Sequence, residues 1–221
     1  MIYLAAILIG YCLGAIPVGY ITVWLTNRKN LLEEGSGRIG STNALRAAGW
    51  PAGTITFIGD LSKSAVAILV VRALWGNSTA EAFAGAAAIL GHNASLIVWL
   101  LARRLGGGAG ATSYTGGAVV LWWPMLLVLL PLIFVTLFII GYASVTSTLL
   151  VIVTCFIFSL RVITGQALWS DLVYAFVAGL FVAYALRPNY IRLWRGTEQK
   201  MPMYYKKLLP QLKKYFTRSL R

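Results

Sequence analysis

Six apolar runs dominate the sequence, at roughly 2–26, 51–75, 80–102, 111–140, 144–160 and 168–186. Most reach or approach the roughly 20 residues that cross a bilayer as a helix. Only 11% of the 221 residues are charged, against about a quarter in soluble domains. The pattern predicts an all-α, polytopic membrane protein. A separate soluble domain needs a polar block of about 50 residues, and the chain has none. The first run lacks a basic leader and is too long for a signal peptide, so it reads as the first span.

Orientation follows from Lys and Arg. None precedes Arg28, whereas the chain from Arg187 onward carries ten of them against one acid, Glu198. This predicts an outside N-terminus, a cytoplasmic C-terminus and an odd number of crossings. The run 111–140 restores the parity. It contains Trp122, Trp123 and Pro124, which predict a break into short helices at 111–123 and 125–140 and bring the count to about seven. The alternative is one long kinked span, with one of the last two segments failing to cross. On the seven-helix reading the loops at 27–50, 103–117 and 140–145 and the tail after 186 share the cytoplasmic face, where they predict one composite site. Residues 1–199 form the membrane domain. Residues 200–221 form a basic, aromatic tail that lies on the membrane surface or docks to an acidic protein partner. Without a compact basic fold, nucleic acid is excluded as a partner.

The stretch GSGRIGSTNALR, from Gly35 to Arg46, is the most particular loop. Gly35, Gly37 and Gly40 permit turns and close approach to a ligand. Ser36, Thr42 and Asn43 offer donors, and Arg46 offers a forked cation suited to phosphate. The loop is neither a Walker loop nor a dinucleotide fingerprint. Asp60 and Lys63 sit three apart in an apolar segment, as a functional pair or a structural ion pair. His92 is a base, a ligand contact or a packed polar group. Arg103 and Arg104 precede a glycine-rich stretch that could nest an anion or serve as a linker. Ser144 and Ser147 open a helix, where ordinary capping also accounts for them. Arg187, Arg192 and Arg195 suit lipid headgroups. Cys12 and Cys155 read as small buried hydrophobes, and a single histidine excludes a His-rich metal cluster.

In order, these pieces resemble the bacterial acylphosphate-dependent glycerol-3-phosphate acyltransferases, the PlsY family. GSGRIGSTNALR is similar to GSGNIGATNxxR, DLSKS to DxxKG, GHNASL…LGGGAGAT to GHxxPxFLxFKGGKGVAT, and NYIRLWRGTE to NIxRLxxGTE. The resemblance implies seven helices in a bacterial plasma membrane and a site open to the cytoplasm. It also implies acyl transfer from acyl phosphate to glycerol 3-phosphate without a cofactor or metal, giving lysophosphatidic acid. It assigns phosphate binding to Ser36 and Arg46 and shaping of the loop to Thr42 and Asn43. Lys63, His92 and Ser144 would line the site, and Asn189 would hold glycerol phosphate. Several motif positions differ. Gly108 and Leu105 replace the two lysines of KGGKG, and Leu186 replaces a His three residues before Asn189. Arg38, Ser64 and Ser95 replace Asn, Gly and Pro. Arg38 and Arg104 stand in loops from which they could compensate the charge, and a lysine placed at Gly108 would test whether the remaining site is intact. Two other readings fit the losses: a non-catalytic subunit of a larger membrane complex with protein partners, and a lipid- or anion-binding protein that keeps the first loop.

Overall fold

The computed structural model describes residues 1–103, 106–204 and 210. Every regular element among them is helical. In order these are α1 (Ile2–Ala15), α2 (Val18–Asn27), α3 (Ser41–Trp75), α4 (Ser78–Asn93), α5 (Leu96–Ala102), α6 (Ala111–Leu121), α7 (Met125–Ile139), α8 (Ala143–Ile163), α9 (Trp169–Val173), a π-helical turn at Tyr174–Ala178, α10 (Gly179–Ala185) and α11 (Arg187–Trp194). Four stretches are long and apolar enough to cross a bilayer: Ile2–Asn27, Ser41–Trp75, Ser78–Ala102 and Ala143–Ile163. A fifth, Trp169–Ala185 with Arg187–Trp194, bends by 53°.

Proline and glycine set the breaks. Pro17 separates α1 from α2. Inside α3, Gly49 takes φ 81° and ψ −172° just before Pro51, so Ser41 to Ala48 form a short arm angled away from the long apolar rod. The expected break near Pro124 is present, with α6 ending at Leu121 and α7 starting at Met125. At about 1.5 Å per residue these helices are roughly 17 and 22 Å long, and each alone is shorter than a hydrocarbon core of about 30 Å.

Small residues let α1 and α4 touch. A methyl group on Gly10 or Gly14 would overlap the backbone of Ala84 or Ala88 respectively. The two helices therefore pack backbone to backbone, as membrane helices do where small residues recur every four positions. The Tyr11 hydroxyl donates to Ala94 O (2.8 Å) and the Ser95 hydroxyl to Ala15 O (2.5 Å). These bonds latch α1 to the link between α4 and α5.

The other half of the core centres on Tyr114 and Tyr174, fully buried and stacked at 5.6 Å. Tyr174 donates to Tyr114 O and Tyr114 to Ala175 O. The Ala175 carbonyl, which also accepts from Gly179 N–H at the end of the π turn, is reached by Cys155 Sγ at 3.4 Å. Cys155 is half-buried there, and Cys12 lies exposed on the outer side of α1. The expectation that both are buried fails, because α1 buries its Gly10 and Gly14 side against the protein and leaves Cys12 off that face.

After α11 the chain doubles back. Met201 N–H donates to Gly141 O (2.8 Å), and Met201 and Tyr204 are buried. The expected tail from residue 200 thus packs on the helical body as far as Tyr204. Residues 205–209 and 211–221 of that tail lie outside the described residues.

Candidate active site

Asn43 folds the first loop. Its Oδ1 accepts from Ser36 N–H at 3.0 Å, and its Nδ2 reaches the carbonyls of Glu34 (2.9 Å), Arg38 (2.8 Å) and Leu31 (3.3 Å). One buried amide therefore ties the turn to the start of α3. Ser36, Arg38, Thr42 and Arg46 then face a common cavity of about 310 Å³.

Other segments complete the wall: Asp60 on α3, His92 on α4, Gly108 to Thr112, Ala143 to Ser147 on α8, and Leu186 to Gln199 around α11. The four polar segments that the sequence assigns to one face do converge. Three helices, α3, α6 and α8, present their first turns here. Helix N-termini carry partial positive charge and unpaired N–H groups, both suited to anions.

Charge in the wall is arranged in layers. Asp60 pairs with Lys63 at 2.8 Å, and Lys63 Nζ is also 3.0 Å from His92 Nδ1. The ammonium donates to Nδ1, which leaves the imidazole proton on Nε2. Glu198 accepts from Asn189 (2.7 Å) and Arg192 (2.9 Å). Each lining acid is thus neutralised by its own partner. Arg38 and Arg46 are held differently, by the carbonyls of Ala185 (2.5 Å) and Gln199 (2.9 Å). Burial, and next the nearby Arg192, push the Arg38 pKa below its ordinary value while Glu198 opposes. An arginine stays charged regardless, so this strain appears as attraction for an anion.

Ser36, Thr42, Asn43, Arg46, His92, Ser144 and Asn189 all line the cavity, as does Arg38. Lys63 does not reach the lining, because its ammonium is turned to Asp60 and His92 behind it. Arg104 lies outside the described residues. Arg103 stacks over Trp99 and is absent from the lining. The capping account of Ser144 and Ser147 also fails. Tyr142 is the N-cap of α8, and the Ser147 hydroxyl bonds back to Ala143 O. Ser144 Oγ is buried with no hydrogen-bond partner among the described residues, beside the cavity. Sequence reasoning passed over Arg192 and Glu198 as site residues. The signal was available, since both fall inside the closing stretch NYIRLWRGTE.

A second cavity, about 200 Å³ and mainly apolar, adjoins the first. Leu45, Trp50, Phe57, Ile133, Phe134 and Leu137 line it. Ser41, Thr42, Ala111, Thr112, Ala143 and Ser147 belong to both walls. A polar compartment and a greasy one thus share a partition.

The family model described as glycerol-3-phosphate acyltransferase matches residues 4–196. The chain belongs to the glycerol-3-phosphate acyltransferase family. A family member from Rubrobacter xylanophilus is 32% identical over 200 residues, covering 90% of this chain and 96% of that one. One from Exiguobacterium sibiricum is 35% identical over 214 residues, covering 93% and 97%. Both are named glycerol-3-phosphate acyltransferase. The fold is similar to the crystal structure of PlsY (YgiH), an integral membrane glycerol 3-phosphate acyltransferase, in its glycerol 3-phosphate form. That match has a TM-score of 0.75 and 27% identity, and covers 90% of this chain and 95% of the other. The lysophosphatidic acid form of the same enzyme gives 0.74. Its relatives and its apolar helices make this chain an integral membrane protein of the acyltransferase family that serves phospholipid synthesis.

Against the family pattern, Gly108 and Leu186 both line the cavity where the motifs carry Lys and His. Gly108 N–H donates to His92 O (3.0 Å), and a Cβ at 108 would overlap the His92 ring at Nε2. The imidazole edge occupies the space that a side chain at 108 would need. A lysine there is therefore not a simple restoration.

Proposed function

We propose that this chain transfers an acyl group from acyl phosphate to the 1-hydroxyl of glycerol 3-phosphate, producing lysophosphatidic acid and inorganic phosphate. The observation that carries the reading is the shared partition. A cavity with two arginines that donate to backbone carbonyls and pair with no carboxylate among the described residues adjoins a groove suited to an alkyl chain. On this reading Arg46, Ser36 and Asn189 hold the phosphate of glycerol 3-phosphate. Arg38 and the first turns of α6 and α8 hold the phosphate of the donor, whose chain lies in the apolar groove. The hydroxyl oxygen attacks the acyl carbon, the bond from that carbon to the phosphate oxygen breaks, and the phosphate leaves. The hydroxyl proton passes to phosphate. His92 does not take it, because Lys63 already occupies Nδ1 and Nε2 holds a proton. The protein's part is positioning and electrostatic stabilisation. Arg38 supplies cationic charge that the family takes from the lysine position.

The same reading sets the chain in a bacterial plasma membrane with seven helices, the N-terminus outside and the cavity facing the cytoplasm. Purified protein in liposomes, supplied with palmitoyl phosphate and labelled glycerol 3-phosphate, should yield labelled lysophosphatidic acid. Folded protein that makes none would overturn the activity.

A further inference from the structure

We propose that Met201 and Met203, on the strap that follows α11, form the wall that selects the acyl chain by length. This rests on the acyl-transfer reading above and concerns residues beyond the family match, which ends at residue 196.

Contacts along its length fasten the strap. Glu198 bonds Asn189 and Arg192. Gln199 O accepts from Arg46. Lys200 Nζ lies over Tyr142 (5.0 Å) and Tyr204 (3.8 Å). Met201 N–H donates to Gly141 O. So held, the strap brings Met201 and Met203 into the lining of the apolar groove, with Ile133, Phe134 and Leu137 of α7.

The two methionines stand at different depths along a bound amphiphile. Met201 Sδ is 3.8 Å from Arg46 Nη2, so Met201 sits where the charged head ends and the chain begins. Both methionines line the groove and neither lines the polar cavity; Met203, two residues further along the strap, is placed to meet methylenes. Trp50 and Phe134 each leave about half their surface exposed, 55% and 51%, which opens the groove to the lipid side. An unbranched alkyl chain fits such a site: the methionine side chain is flexible and polarisable, and moulds to a chain without directional bonds.

The test compares wild type, Met203→Trp and Met203→Ala as full chains in liposomes, each first checked for unchanged unfolding temperature. Acyl phosphates from decanoyl to stearoyl are assayed for kcat/KM. Met203→Trp fills the groove and should lower kcat/KM for palmitoyl relative to decanoyl phosphate by about tenfold or more. Met203→Ala should shift the preference towards longer chains. The KM for glycerol 3-phosphate should stay fixed in both. Active variants whose chain-length profiles run parallel to wild type would overturn the proposal. If wild type makes no product, the acyl-transfer reading fails separately, and binding of decyl and hexadecyl phosphate in nanodiscs decides the groove. Tighter hexadecyl binding that Met203→Trp abolishes supports the assignment, and equal effects on both probes sink it. If Met203→Trp does not fold, Met203→Ala alone decides by the same criterion.

Discussion

Two carboxylates stand in the wall of a cavity lined by arginines and helix N-termini, and the fold neutralises them differently. Asp60 is sealed in the helical body. Its cation comes from Lys63, one turn on along the same rod, and the side chains are only 2% and 4% exposed. Glu198 lies at the mouth. Its partners come from α11, and although Glu198 itself is only 7% exposed, Arg192 is 38% exposed. The inner pair orients His92 and is part of the architecture. The outer pair orients Arg192 and fastens the strap, and water reaches it from the arginine side. Acids in a basic site need not weaken it if each arrives with its own cation, which leaves Arg38 and Arg46 to meet the ligand.

Breaking the inner pair should have the largest effect. Lys63→Met strands a buried carboxylate and should cost about 3 kcal/mol of stability, measured by thermal unfolding in detergent. Adding Asp60→Leu should recover most of that loss, which would show that the unpaired charge was responsible. Next comes the cation that the acids leave free. Arg46→Ala should lower kcat/KM about ten- to a hundredfold with the unfolding temperature nearly unchanged. Gly108→Lys should bring no gain and a loss of about tenfold, because its Cβ displaces His92 from Lys63; a large gain would show that the His92 ring is free to move. The outer pair should matter least. Glu198→Gln keeps an acceptor for Asn189 but loses the ion pair, raising the KM for glycerol 3-phosphate about two- to fivefold. Added salt of about 0.5 M should reduce that difference in part, because only the arginine side of the pair meets solvent.

Much of this was legible in the chain. Apolar run lengths gave the helices, and Pro124 gave the break between α6 and α7. The unusual composition of four separate segments pointed to one site, and they meet there. What could not be read was direction. Lys63 is spaced correctly to face a ligand, yet a carboxylate and an imidazole nearby claim its ammonium. Ser147 sits where a cap is expected but bonds backwards, because Tyr142 already begins the helix. Cys12 lies in an apolar run, and nothing in the run says which of its sides meets protein and which meets lipid. Glu198 reads as a stray acid in a basic tail until the bend after α10 brings that tail over the cavity. Spacing fixes what each residue can do, whereas packing decides which neighbour it does it with.

The backbone contact between α1 and α4 reaches further than its chemistry suggests. Ala88 rests on Gly14, and His92 follows one turn later on the same helix. No slack separates that seam from the floor of the site. A single methyl group added to α1, remote from every arginine, would be transmitted through α4 like a shim under a bearing. Inactivating changes in this protein should therefore gather along a line that no substrate ever visits.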